Sequence, residues 1–267
     1  MNKKVGFIGS GNMGSAMIGG IVQSGIVDAS NIYVADVSEA CFQKVNQYSV
    51  HTSTNNIDVA SVVDILFLAV KPYMVQAVAK EIKDSLKKDV IIVCIAAGKK
   101  LEDLQSYFNQ ETKIVRVMPN TPALVGQAMS ALCPNEYVDE AELKEIVSIF
   151  ESFGKAEIIK ENLMDAVTAV SGSSPAYVFM MIEAMADGAV QEGMPRNQAY
   201  TFAAQAVYGS ALMVLETGKH PGELKDMVCS PAGTTIDAVA KLEQTGFRSS
   251  IIEAMKACFE KSKEMSK

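Results

Sequence analysis

Residues 7–20 read FIGSGNMGSAMIGG, and the run KVGFI at 4–8 that leads into them is a short apolar strand. Gly9, Gly11 and Gly14 complete G-x-G-x-x-G where that strand passes into a helix, whose Met13, Met17, Ile18, Ile21 and Val22 recur at helical spacing. Each glycine then has a physical task. Gly9 permits the tight turn, Gly11 lets the backbone approach a pyrophosphate, and Gly14 lets helix and strand pack closely. Asn12 and Met13 open the helix, where unpaired N–H groups and the positive end of the helix dipole favour an anion.

Working outward, apolar runs recur as IYVA (32–35), DILFLAV (64–70), VIIVCIA (90–96) and KIVRVM (113–118), with helical patterns over 38–48, 73–87 and 101–108. Continuous apolar strands alternating with helices specify a parallel sheet covered on both faces. QAMSAL (127–132) and AEIIK (156–160) extend the sheet, with a helix over 139–152 between them. Beyond residue 161 strand signals cease, and helices are expected at 173–193, 195–217, 234–244 and 247–265. The expected architecture is an α/β N-terminal Rossmann domain, doubly wound on a mostly parallel sheet (1–161), followed by an all-α C-terminal domain (162–267) for dimerisation and substrate binding.

The helices at 173–193 and 195–217 are apolar around most of their circumference. A domain of this size offers little interior for two such helices, which predicts that a second copy covers part of them, most simply in a closed two-fold assembly. A monomeric bundle with a well-filled core is the alternative.

The formal net charge of −7 disfavours nucleic acid and anionic membrane as partners. Residues 197–215 carry no Lys, Arg, Asp or Glu, yet Asn197, Gln198, Tyr200, Thr201, Gln205, Tyr208 and Ser210 are too many hydrogen-bonding groups for a membrane span. The apolar run after Lys4 is broken by glycines and Asn12 and lacks the pattern of a signal peptide. Five cysteines without a C-x-x-C pair suggest reduced thiols and a cytoplasmic protein, and no metal is expected.

Asp36 lies 22 residues after Gly14, at the end of the second strand. A carboxylate there accepts from a ribose 2′-OH and repels a 2′-phosphate, which favours NAD over NADP. D-V-S-E equally fits a capping box with Glu39, and both readings stand. Three further loops follow strands on the same rim: Ala69, Val70, Lys71 and Pro72; Ala96, Ala97 and Gly98; and MPNTP (118–122) with Asn120. Lys71 and Asn120 are the polar side chains of that rim; a solvated lysine and an Asn bonded to its own turn are the plainer alternative.

A nicotinamide enzyme that reduces a carbonyl needs an acid, and the chain has only His51, in a surface connection, and His220, in a helical-domain turn. A substrate that carries its own proton, such as an iminium, removes that need. VCSPAGTTIDAV (228–239) is the best substrate loop, with the N–H groups around Gly233 to Thr235 and the Ser230 hydroxyl able to hold a carboxylate. Thr234 with Asp237 also fits a simple capping box, and the spacing does not decide between the two.

The segments GFIGSGNMG, AVKP, SIFESFG, VSGSSPAYVFMMIEAMADG, FAAQAVYGSALMVLETGKHPGELKDMVCSPAGTTIDAV and GFRSSIIEAM resemble the pyrroline-5-carboxylate reductase family, in order along essentially the whole chain. The stretch from Val170 to Val239 is the most specific. The resemblance implies a Rossmann domain, a dimerisation domain with swapped helices, a homodimer, and a larger decamer built of dimers. It implies an oxidoreductase acting on C=N groups, in which hydride passes from NADPH or NADH to C5 of 1-pyrroline-5-carboxylate to give L-proline, the last step of proline biosynthesis. By resemblance, Ser230, Gly233, Thr234 and Thr235 bind the substrate carboxylate, and Thr235, the catalytic candidate, hydrogen-bonds the ring nitrogen. Asn56, Ala69, Lys71, Pro72, Ala97 and Asn120 fall on cofactor-side positions. Similar enzymes often carry Ser, Thr or Arg near the position of Asp36 and commonly prefer NADPH, so the aspartate makes NADH use an expectation for this chain.

A β-hydroxyacid dehydrogenase shares the plan but needs a lysine on the first long helix of its second domain, and no Lys lies between Glu161 and Leu215. A non-catalytic dinucleotide sensor would have no use for the hydroxyl-rich loop at 230–235.

Overall fold

The computed structural model describes residues 1–265. Eight strands form one sheet in the order β3-β2-β1-β4-β5-β6-β7-β8: β1 (Val5–Ile8), β2 (Ile32–Ala35), β3 (His51–Ser53), β4 (Ile65–Leu68), β5 (Ile91–Cys94), β6 (Lys113–Met118), β7 (Ala128–Pro134) and β8 (Gly154–Ile158). Every pairing is parallel except β6 with β7. The winding reverses between β1 and β4, and an open sheet of this kind leaves a crevice at that switch, beyond the strands' carboxyl ends.

The strands connect through α1 (Asn12–Ser24), α2 (Glu39–Phe42), α3 (Asn56–Ala60), α4 (Val75–Ile82), α5 (Leu101–Tyr107) and α6 (Glu140–Glu151), and α7 (Met164–Val167) follows β8. Alternate residues of each strand face opposite sides. Val5, Phe7, Ile65, Phe67, Ile91 and Val93 pack with Met17, Ile18 and Ile21 of α1 and Ile146, Ile149 and Phe150 of α6. Ile8, Leu66, Leu68, Ile92 and Cys94 pack with Val59, Val75, Val78, Ile82 and Leu104 of α3, α4 and α5. Phe7 stacks on Phe67 with ring centroids 4.5 Å apart, and Phe67 meets Phe150 at 5.9 Å. Each such buried side chain contributes about 2 kcal/mol of transfer free energy, which makes the sheet a stiff platform for the loops above it.

Two expectations change here. The helix over 38–48 stops after one turn as α2; the buried Val45 is drawn into the core, and a tighter 3₁₀ turn over Asn46–Tyr48 follows. His51 sits in an edge strand instead of a connection, stacked on Tyr33 at 4.6 Å with its Nε2 3.0 Å from the Ser30 carbonyl.

The chain divides into two compact units, Met1–Ser173 with Cys258–Lys267, and Ser174–Ala257. The first unit regains the chain at its end, where the Ser262 hydroxyl donates to Asp165 Oδ1 at 2.6 Å and the Cys258 thiol lies 3.2 Å from Ser173 Oγ. The second holds α8 (Ser174–Gln191), α9 (Arg196–Thr217), α10 (Pro221–Val228), α11 (Thr234–Gln244) and most of α12 (Phe247–Met265). Gly193, at φ +92°, and Pro195 turn α8 into α9, and Arg196 pairs with Asp187 at 2.5 Å across the turn. The His220–Pro221 turn proves to be the start of α10, with His220 Nδ1 accepting from the Gly222 N–H at 3.0 Å and Pro221 at the first helical position. Among the described residues of this unit only Ala186, Ala199 and Ala203 are buried hydrophobics, while Phe179, Phe202 and Leu215 each stay more than 60% exposed.

Candidate functional site

The β1–α1 turn shows directly what its glycines are for. Gly9 has φ +98°, and a Cβ there would sit 2.6 Å from the Ala69 carbonyl oxygen. A Cβ on Gly14 would come 2.4 Å from the carbonyl oxygen of Gly9, so helix and strand close on each other at that point. Around Gly11 a Cβ would meet nothing within 4 Å. Gly11 is also the N-cap of α1 and supplies no side-chain acceptor for the first N–H groups of the helix. Two of the three glycines are thus required by the fold, and the third borders an open space.

That space is a cleft of about 560 Å³. Its walls gather Gly9, Gly11, Asn12 and Met13 from the turn, Asp36 from the end of β2, Asn56 from α3, Ala69, Val70, Lys71 and Pro72 from the loop after β4, and Ala96 and Ala97 from the loop after β5. Val37, Cys41, Met74, Ile95, Met118, Pro119 and Thr121 also line it, although nothing in their residue types had singled them out except the position of Met118 to Thr121 within MPNTP. Gly14 lies behind the turn. Gly98 is outside the lining; at φ +71° it runs against Met265, where a Cβ would be 3.0 Å from the Met265 backbone oxygen. Asn120 is outside as well. It is buried, its Nδ2 donates to the Ser171 carbonyl at 3.1 Å and its Oδ1 accepts from the Met129 N–H at 2.9 Å, so its amide fastens the loop.

The Asp36 carboxylate is held by the turn it faces. Oδ2 accepts from the Ser10 N–H at 2.7 Å and the Ser10 hydroxyl at 3.1 Å, and Oδ1 accepts from the Ser38 N–H at 3.0 Å. The capping box with Glu39 does not form, because Ser38 is the residue that precedes α2. The charged side chains of the cleft wall are Asp36 and Lys71. An uncapped helix start, the gap beside Gly11 and an acceptor carboxylate at the end of β2 together fit a dinucleotide, with its pyrophosphate at the N–H groups of α1.

In the helical unit, Ser230 to Thr235 form a bend closed by the Gly233 N–H donating to the Ser230 carbonyl at 3.0 Å. Ala232 takes φ +55°, and a Cβ on Gly233 would lie 2.3 Å from Ser230 Oγ. Gly233 is the N-cap of α11, with no side-chain cap, and Thr234 and Thr235 are the first helical residues. The capping box of Thr234 with Asp237 is therefore absent. The uncapped N–H groups of this helix start and the hydroxyl-bearing residues Ser230, Thr234 and Thr235 belong to one short segment, a combination that suits a carboxylate.

Both histidines have structural partners, and neither lines the cleft. Among the described residues no group of three His, Cys, Asp or Glu could hold a metal ion, and no helix is long and apolar enough to cross a membrane.

A doubly wound sheet whose glycine turn opens on such a cleft defines a dinucleotide-binding protein of the Rossmann class, carrying a separate helical unit. The family profile described as pyrroline-5-carboxylate reductase dimerisation matches residues 161–265, and one described as NADP oxidoreductase coenzyme F420-dependent matches residues 4–98. A pyrroline-5-carboxylate reductase from Escherichia coli (strain K12) is 53% identical over 268 residues, covering 100% of both chains. One from Methanosarcina acetivorans is 45% identical over 267 residues, covering 100% of this chain and 99% of the relative. The crystal structure of the Plasmodium falciparum pyrroline carboxylate reductase with NADP bound superimposes with a TM-score of 0.92 at 34% identity, covering 100% of this chain and 99% of that one. The chain belongs to the pyrroline-5-carboxylate reductase family.

Proposed function

We propose that this chain is an NAD(P)H-dependent oxidoreductase that reduces the cyclic imine 1-pyrroline-5-carboxylate to L-proline, in the cytoplasm, as the last step of proline biosynthesis. The observation that carries the reading is the uncapped start of α11, where three hydroxyls stand with free N–H groups, in a chain that also holds a dinucleotide-sized cleft. Family membership supports the same substrate. When bound, the reduced nicotinamide supplies a hydride to C5 of the imine.

The chain's own residues bind and orient. Gly11, Asn12 and Met13 offer N–H groups to the pyrophosphate, and the loops at 69–72 and 96–97 wall the cleft. Ser230 and the N–H groups of Thr234 and Thr235 hold the substrate carboxylate, while the Gly233 N–H closes the bend on the Ser230 carbonyl, and the Thr235 hydroxyl hydrogen-bonds the ring nitrogen and fixes which face of C5 is presented. Thr235 is a positioning donor. A protonated imine brings its own proton, so the absence of a histidine from the cleft wall costs nothing.

The functional division falls between 1–161, for the cofactor, and 162–267, for dimerisation and substrate. The match of the dimerisation profile to 161–265 supports it. Self-association accounts for the exposed Phe179, Phe202 and Leu215 of the helical unit, and a homodimer, with a decamer of dimers above it, is the assembly we propose.

The test is NAD(P)H oxidation dependent on pyrroline-5-carboxylate. Thr235→Ala and Ser230→Ala should each lower kcat/KM by about a hundredfold, as removal of a transition-state hydrogen bond does. Wild-type rates in both variants would show that the substrate is held elsewhere.

A further inference from the structure

Asn56 is the first residue of α3, where the preceding Asn55 caps the helix by accepting the Ile57 N–H at 3.0 Å. Asn56 is therefore free of capping duty. It is only 8% exposed, yet it lines the dinucleotide cleft, and its Nδ2 donates to Glu81 Oε2 of α4 at 2.9 Å. Glu81 forms no ion pair among the described residues.

An ionised carboxylate only accepts hydrogen bonds, so Glu81 engages the amide through its nitrogen, and among the described residues no hydrogen bond takes the carbonyl oxygen Oδ1. Asn56 follows β3, which pairs with β2, and the Asp36 N–H itself donates to the Ser53 carbonyl at 3.3 Å. The Asn56 amide and the Asp36 carboxylate thus belong to the same end of the cleft. Lys71, the cationic side chain of the cleft wall, comes from the loop after β4, on the other side of β1.

We propose that Glu81 is a positioning residue for cofactor selectivity. By fixing the Asn56 amide with its carbonyl oxygen toward the ligand, it equips that end of the cleft with acceptors, which suit a ribose 2′-hydroxyl and oppose a 2′-phosphate. This rests on the proposed use of a nicotinamide dinucleotide and assigns the choice between the two forms to a side chain of α4.

The experiment measures kcat/KM for NADH and NADPH with pyrroline-5-carboxylate, and direct binding of both reduced cofactors to the whole enzyme, in wild type, Glu81→Ala and Glu81→Gln. Freed from the carboxylate, the amide can turn its nitrogen to the ligand. The ratio of NADPH to NADH efficiency should rise about fivefold in Glu81→Ala, the scale of one hydrogen bond, through KM and Kd and not through kcat. Glu81→Gln retains an acceptor oxygen and should fall between. The KM for the imine should stay unchanged. An unaltered cofactor ratio in both variants, with binding of both cofactors intact, overturns the role of Glu81 and leaves the oxidoreductase reading standing. Failure of wild type to bind either cofactor would overturn that reading itself.

Discussion

One oxygen of Asp36 takes both the backbone N–H and the hydroxyl of Ser10, a fully buried serine inside the glycine turn. The acid at the end of β2 is thereby part of the machinery that shapes the turn, as well as a charge at the mouth of the cleft. Asp36→Ser should shift the ratio of kcat/KM toward NADPH by removing that charge. The same change loses hydrogen bonds to a charged acceptor, so Tm should fall by about 4 °C. Cofactor kinetics and a melting curve on one protein check both effects, and equal cofactor ratios before and after the change would contradict the first.

Gly14 and Gly11 separate folding from binding. A methyl at Gly14 collides with the Gly9 carbonyl, whose backbone cannot yield, so Gly14→Ala should cost about 3 kcal/mol of stability. A methyl at Gly11 meets only open space, so Gly11→Ala should leave the unfolding midpoint in place and weaken dinucleotide binding. Urea unfolding and cofactor titration of the two variants distinguish the outcomes.

The cysteines should divide by position. Burial pushes the Cys94 thiol up to about 11, beyond what its hydrogen bond from Ala96 and the nearby Arg116 can offset, and burial also raises Cys133. Neither should react with iodoacetamide near pH 7.5 in the folded enzyme. Cys41 is partly exposed and lines the cleft, so it should be labelled, with saturating dinucleotide protecting it. Peptide mapping by mass spectrometry reads both.

Asp64 gives a pH signature. Burial raises its pKa, but hydrogen bonds from Lys87 Nζ and the Lys4 N–H, each at 2.8 Å, with the charges of Lys87 and Lys3, outweigh it and hold the carboxyl below its ordinary value. A carboxyl whose folded pKa is depressed adds stability that is fully present above its unfolded value, about 3.9, and is lost as pH falls through the lower folded one. Asp64→Asn should therefore be less stable than wild type at pH 7, with the gap closing below about pH 4. Unfolding midpoints across pH 2–7 test this.

Much of this was legible in the sequence because it rests on local backbone demands. The turn glycines, the short apolar strands and the long helical runs follow from sterics and periodicity that act within a few residues. The misses share a cause too. β3 is three residues, HTS, polar and at a sheet edge, so no apolar run announces it. α10 hid behind His220–Pro221, read as a turn when it is a helix cap. Asn120 and Gly98 follow strands like their neighbours and also touch distant partners, Ser171, Met129 and Met265, contacts that no local pattern announces.

The sheet unit releases the chain at Ser174 and takes it back at Cys258, so the helical unit is an excursion between two moored ends. One proteolytic nick in the connection after Thr217 would leave a longer fragment that carries the eight strands and a shorter one still held to it through the anchor of Ser262 on Asp165. Liberating the helices as a free fragment takes two cuts, and the last turns of α12, through Ser262, are a structural fastening in their own right.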